Sequence, residues 1–246
     1  RAVLFDFDGT ISTLRHGWEK IMEPLMVELL GEESREMILS YIDESTGIQT
    51  IFQMKWLAQE VTKRHGAALD PWEYKAEYNR RLMEMVADRR KQLSSGQIPR
   101  EDYMIAGSEK ILQALKNMGV ELYIASGTDD PDVKAEVEAL GLTGYFTKIA
   151  GAPLGKESCS KENVIRDLLS GGIPGEELAV VGDGKVEIMV GKESGARTIG
   201  LATNEEARQG IDPIKRPRLE KAGADIIAGD FLEHDKLMRF FKGETV

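Results

Sequence analysis

The stretch "FDFDGT" (residues 5–10) follows an apolar "AVL" and carries two carboxylates, Asp6 and Asp8, spaced two apart. On a strand that spacing puts both on one face, ~7 Å apart at ~3.3 Å rise per residue. Two bare carboxylates at that separation repel by roughly 2 kcal/mol at an effective dielectric of about 20. Either a cation sits between them or one of them holds a proton.

Two more polar signals close apolar runs: "SGT" (126–128) after "ELYIA", and "GDG" (182–184) after "LAVV". In an open parallel sheet, chemistry gathers in the crevice beyond the carboxyl ends of the strands. If the first strand is central and the other two flank it, the three signals meet at one edge of the sheet.

The elements that must position these residues follow two rhythms. From about residue 101 onward, helical patterns alternate with short apolar runs. "SEKILQALKNMG" is a helix ending at Gly119, and "VELYIAS" a strand. "DPDVKAEVEALG" restarts a helix, with Asp130 as N-cap and Pro131 in the first turn. "YFTKIA", "LAVVGD", "RTIGLAT" and "ADIIAG" read as strands, separated by the helices "KENVIRDLL" and "EIMVGKESG" and followed by one at about 231–241. Such alternation predicts crossover units, a mainly parallel sheet and helices on both faces.

Residues 15–98 break the pattern. They read as helix after helix: "WEKIMEPLMVELLG", where Pro24 predicts a kink or break, then "IQTIFQMKWLAQEVTKRHG", then a long helix capped by Asp70 and Pro71. "SSGQIP" (94–99) is a linker back to the core. The Met and Trp residues of 18–85 fall on helical stripes and form the core of this module.

The chain has 246 residues, with 42 acidic against 32 basic side chains and a formal charge of −10. An acidic, interspersed balance argues against nucleic acid or an anionic membrane as partner. No apolar run is long enough to span a bilayer. The first strand begins at about residue 2, which leaves no room ahead of it for a signal peptide. Cys159 is alone, so no disulfide framework is expected. The expectation is a reducing, cytoplasmic compartment.

Taken in order, "DFDGT", "SGT", a lysine opening a later helix, and "GDG" followed by Glu187 resemble the four signatures of the haloacid dehalogenase-like superfamily, in its phosphatase branch. The likeness extends to phosphoglycolate phosphatase and beta-phosphoglucomutase-like members, and it spans nearly the whole chain. It implies an α/β fold: a Rossmann-like parallel sheet core (1–14 and 100–246) with an inserted all-helical cap domain of the C1 type (15–99).

The resemblance also implies roles. Asp6 is similar to the nucleophile that attacks phosphorus, and Asp8 to the acid/base. Ser126 and Gly127 would hold the phosphoryl oxygens. Asp183 would bind Mg2+ with Asp6 and the backbone carbonyl of Asp8, and Glu187 would support the metal. Mg2+ suits such a site, since it prefers a few carboxylates plus phosphate oxygens. For the lysine, Lys161 is chosen over Lys148 because it opens "KENVIRDLL". Lys156 stays a rival, because the family often places proline where this chain has Glu162.

Arg15 and His16 lie close after the first signature, where they could touch substrate. "DESTGIQT" (43–50) is a polar loop between helices, so Thr46, Gly47 and Gln49 are specificity candidates. The basic cluster Lys215, Arg216 and Arg218 reads as a helix surface. The implied reaction is hydrolysis of a small phosphomonoester, such as a sugar phosphate or phosphoglycolate, through an aspartyl phosphate. The alternatives are a phosphosugar mutase and a non-catalytic phospho-aspartate sensor. The second aspartate, Asp8, favours phosphoester chemistry over dehalogenation.

Overall fold

The computed structural model describes residues 1–158 and 160–245; Cys159 lies outside them. Six strands form one parallel sheet: β1 (Ala2–Phe5), β2 (Glu121–Asp129), β3 (Lys148–Ala152), β4 (Leu178–Gly182), β5 (Arg197–Leu201) and β6 (Ile226–Ala228), in the order β3-β2-β1-β4-β5-β6. Every neighbouring pair is parallel. β1 is therefore central, flanked by the strands that carry "SGT" and "GDG".

Alternation along β1 feeds both faces. Val3 and Phe5 pack with Ile111 and Leu115 of α5 (Ser108–Asn117), Val133 and Val137 of α6 (Asp130–Ala139), and Leu237 and Phe240 of α10 (His234–Phe241). Ala2 and Leu4 face the other way, onto Val164, Ile165 and Leu168 of α7 (Ser160–Ser170). Two further helices, α8 (Lys185–Glu193) and α9 (Lys215–Lys221), pack together through Ile188 and Leu219. A strand buried on both faces has no polar side to show, which is why "AVLF" and "LAVV" are unbroken apolar runs.

Between β1 and α5 run four helices: α1 (Glu19–Leu30), α2 (Arg35–Glu44), α3 (Thr50–His65) and α4 (Pro71–Ser94). They bury a cluster of their own, including Met22, Met26, Leu57, Tyr78 and Leu82. α4 starts as expected, with the Asp70 carboxylate accepting from Trp72 N at 2.8 Å, and α3 ends at Gly66 in the left-handed conformation. α1 continues through Pro24 instead of breaking there.

Other boundaries shift by a few residues. β1 ends at Phe5, so Asp6 and Asp8 sit just beyond the strand rather than on it. Asp6 still extends the ladder, donating its N–H to Val181 O at 2.9 Å. β2 runs on through Ser126 to Asp129, with an irregularity after Ala125. That extension moves the N-cap of α6 from Asp130 to Asp129, and the Asp130 carboxylate instead accepts from Gly151 N at 3.0 Å. β3 starts at Lys148, because Thr143–Tyr145 forms a 3-10 turn.

Candidate active site

The carboxyl ends of β1, β2 and β4 open into a cavity of about 100 Å³. Asp6, Asp8, Ser126, Gly127, Lys161 and Asp183 all line it. Parallel strand order does the gathering: residues more than a hundred positions apart in sequence end at one crevice.

Lys161 reaches the site because the Ser160 hydroxyl donates to Ser126 O at 2.5 Å, which ties the start of α7 to β2. Lys161 Nζ then lies 2.7 Å from Asp6 Oδ2 and 2.7 Å from Glu187 Oε2. Burial works against its charge, but Asp6 and Glu187 overcome this and hold the ammonium protonated above the usual lysine range. Lys156 is exposed, and Lys148 pairs with Asp167 on the surface at 3.2 Å. Of the three lysines, Lys161 is the one brought to the carboxylates.

Asp6 is 6% exposed, and burial pushes its carboxyl well above the usual range despite the adjacent Lys161. Burial likewise raises Asp183. Glu187, against the opposing effect of burial, is held low by Lys161 and by the N–H of Gly184, which donates to its Oε1 at 2.5 Å. Oxygens of Asp6, Asp183 and Glu187 lie within 4.8 Å of one another, all buried. Three buried hard oxygen donors gathered this closely are a donor set that fits Mg2+.

Asp8 faces the same cavity from a different bonding environment. Its Oδ2 accepts from the Thr128 hydroxyl at 2.8 Å and from the Ser126 hydroxyl at 3.4 Å. Its buried Oδ1 has no hydrogen-bond partner, with Arg15 Nε 3.9 Å away. Burial raises the Asp8 carboxyl, against the lowering effect of Arg15 and of the Thr128 and Ser126 hydroxyls. The turn that follows Asp8 needs a glycine: Gly9 has φ +70°, and a Cβ there would stand 2.3 Å from Asp183 Oδ2.

Several partners went unnoticed in the sequence. Thr128 lay inside the quoted "SGT" but was given no role. Glu136 on α6 takes Arg15 in a two-point pair, Nε at 3.1 Å and Nη2 at 2.7 Å. Burial pushes the Glu136 carboxyl up to about 7 in spite of that guanidinium. Lys215, read as a helix surface, instead inserts Nζ between Asp183 Oδ2 (2.7 Å) and Glu205 Oε1 (2.5 Å). Glu205 is drawn down to about 2, against burial, by His16 and Lys215.

The candidates from the helical insertion divide. Arg15, Thr46 and Gly47 line the cavity. His16 does not line it; its Nδ1 lies 3.6 Å from Glu205 Oε2. Gln49 lines a neighbouring cavity, and its amide exchanges hydrogen bonds with the backbone of Ser158.

A parallel sheet of this order, with Asp6, Ser126 and Asp183 at the carboxyl ends of three adjacent strands, is a Rossmann-like α/β fold with an aspartate pair at its crevice. Residues 1–195 match the model of the haloacid dehalogenase-like hydrolase family. The chain belongs to that family. It is 24% identical over 245 residues to the phosphoglycolate phosphatase of Escherichia coli strain K12, covering 96% of this chain and 94% of the relative. Among solved structures, a beta-phosphoglucomutase from Clostridium difficile superposes with a TM-score of 0.70 at 13% identity, covering 98% of this chain and 97% of the other. A haloacid dehalogenase-like hydrolase from Streptococcus pneumoniae gives 0.63 at 15% identity, covering 96% and 97%. The structural likenesses carry the fold; the family and its phosphatase-named relatives make this chain a phosphatase. No described helix is long and apolar enough to cross a membrane.

Proposed function

We propose that the chain hydrolyses a small phosphomonoester through an aspartyl phosphate on Asp6. The observation that carries this reading is the convergence of Asp6, Asp8, Ser126, Lys161 and Asp183 on one buried cavity. In the first half-reaction an Asp6 carboxylate oxygen attacks phosphorus, and the bond from phosphorus to the substrate's alcohol oxygen breaks. Asp8, whose Oδ2 sits beside the Thr128 and Ser126 hydroxyls in the same cavity, acts as the acid and gives its proton to that leaving oxygen. In the second, Asp8 as carboxylate takes a proton from water. The resulting hydroxide attacks phosphorus, Asp6 leaves as a free carboxylate, and inorganic phosphate departs.

Ser126 and the backbone around Gly127 hold the phosphoryl oxygens, while the Lys161 ammonium neutralises Asp6 and the incoming phosphate together. Asp6, Asp183 and the backbone carbonyl of Asp8 would hold Mg2+, with Glu187 in support. When bound, the ion supplies positive charge between nucleophile and phosphoryl group. The helical insertion acts as a cap (15–99) over the core, keeping bulk water from the aspartyl phosphate. Family membership sets the receiver-type sensor aside, and nothing at the site favours a mutase.

The test is phosphate release from a panel of phosphorylated metabolites, with Mg2+ and with a chelator. Metal-dependent release that vanishes in Asp6→Asn is expected. Release unaffected by Asp6→Asn overturns the nucleophile assignment, and no release from any ester overturns the proposal.

A further inference from the structure

The roof of the cavity, opposite the aspartates, is built from Trp18, Thr46, Ile48, Gln53, Tyr78 and Leu82. None of these side chains carries a charge at neutral pH. Burial pushes the Tyr78 phenol up, so it stays neutral. The Gln53 amide nitrogen gives one of its two hydrogens to the Ser45 hydroxyl at 3.0 Å.

Among the described residues, each cation that lines the cavity is paired with a carboxylate. Arg15 lines it, but Nε and Nη2 are given to Glu136, with Asp132 at 3.8 Å and Asp8 at 3.9 Å. Lys161 is shared between Asp6 and Glu187 on the floor. Lys215 is held by Asp183 and Glu205. Lys75 does not line the cavity; its Nζ is bound to Asp129 at 2.5 Å. A second anionic group on the substrate, beyond the phosphate, would be desolvated under this roof with no free counter-charge. Meanwhile the floor contributes Asp6, Asp8, Asp183 and Glu205 to the same cavity.

Resting on the phosphatase reading above, we infer that the alcohol half of the substrate is small and uncharged, with an apolar flank against Trp18, Ile48, Tyr78 and Leu82. The substrate's only anionic group is its phosphate. A cavity of about 100 Å³ is well under the ~300 Å³ at which drug-sized pockets begin. It admits a phosphoryl group and a few further heavy atoms. A carboxylate such as that of phosphoglycolate, or the second phosphate of pyrophosphate, finds no cation on the roof.

The experiment compares a matched pair: 2-hydroxyethyl phosphate and phosphoglycolate, which differ in carrying a hydroxymethyl or a carboxylate at the far end. Wild-type kcat/KM is expected to favour the hydroxyethyl ester by at least tenfold. Leu82→Arg and, separately, Thr46→Lys each place a cation on the roof. In whichever variant folds, the ratio moves toward phosphoglycolate by at least tenfold. Equal turnover of the pair, or a preference for phosphoglycolate, by the wild type overturns the inference while leaving the phosphatase reading intact. Release from neither ester, nor from any other monoester, overturns both.

Discussion

Replacing Lys161 with methionine tests the electrostatic centre of the site, because the change keeps the stem and deletes the ammonium. Nζ lies 2.7 Å from both Asp6 and Glu187, and the three side chains are 3%, 7% and 1% exposed. Each contact is worth about 6 kcal/mol of Coulomb energy at an effective dielectric of about 20. Most of that is offset by desolvation, and removing one partner of such a pair costs about 3–5 kcal/mol because the other charges are left buried and uncompensated. Lys161→Met is therefore expected to lose about 3–5 kcal/mol in urea unfolding without divalent ions. Exposed Lys156→Met should stay within about 0.5 kcal/mol of wild type. The loss also depends on pH. Without the ammonium, the folded-state carboxyls of Asp6 and Glu187 move up, whereas in the unfolded chain they titrate near ~4. Between those values the folded variant binds more protons than the unfolded one, so its stability falls as pH rises. The deficit relative to wild type should be smaller near pH 5 than near pH 7.5. Turnover should drop by about 10²–10³. A deficit under about 1 kcal/mol, or one that does not change with pH, refutes the claim that Lys161 compensates buried charge.

Three further outcomes are expected. Asp8→Asn should lower kcat by about 10²–10⁴ with little change in melting temperature, since the amide replaces a carboxyl that burial already keeps toward its neutral form; near-normal turnover would remove Asp8 from proton transfer. Gly9→Ala should destabilise by about 2 kcal/mol or more, because a Cβ at φ +70° would stand 2.3 Å from Asp183 Oδ2; calorimetry showing wild-type stability would mean that the loop holds Asp183 less closely. Mg2+ at about 100 times its dissociation constant should stabilise the wild type by about 2.7 kcal/mol. Asp183→Asn should blunt that shift in the same thermal melt, and an undiminished shift would place the ion elsewhere.

How much of this was readable in the chain depends on whether the signal was local. "AVLF" and "LAVV" announce buried parallel strands, and the polar residues that end them announce the crevice, because both facts are properties of short segments. Lys161 was legible through its place at the head of a helix. What escaped was non-local. Arg15 and Glu136 are 121 positions apart, and nothing in "VKAEVEALG" marks one glutamate as the partner of a distant arginine. Lys215 misled for a different reason. α9 is seven residues long, too short for periodicity to say which face is covered, so "KRPR" reads as solvated surface. In the fold its first residue has a side chain only 13% exposed, beside two carboxylates. Asp129 displaced Asp130 as the cap of α6 because β2 runs further than its apolar residues do, a length set by pairing with β3.

The contacts between the helical insertion and the sheet include the buried ion pair of Lys75 Nζ with Asp129 Oδ1 at 2.5 Å and a set of ties around the loop 43–50. Arg218 Nη1 reaches Asp43 Oδ1 at 3.0 Å while its Nη2 reaches the Asp183 carbonyl at 3.3 Å, so one guanidinium touches the insertion and the reacting edge together. At the other end of the same loop, Gln49 is tied to Ser158. Between these two ties Gly47, at φ +87°, lets backbone meet backbone: a Cβ there would lie 3.3 Å from Gly184 Cα. Lys55 and Glu157 add a half-exposed ion pair at 2.5 Å. Exposed pairs of this sort contribute about 0–1 kcal/mol each, and their groups regain water when separated. The insertion keeps its own apolar cluster, separate from those on the two faces of the sheet. The same loop borders the carbonyl of Asp183, through Arg218, and the Gly184 turn, so the insertion touches the edge that carries the carboxylates.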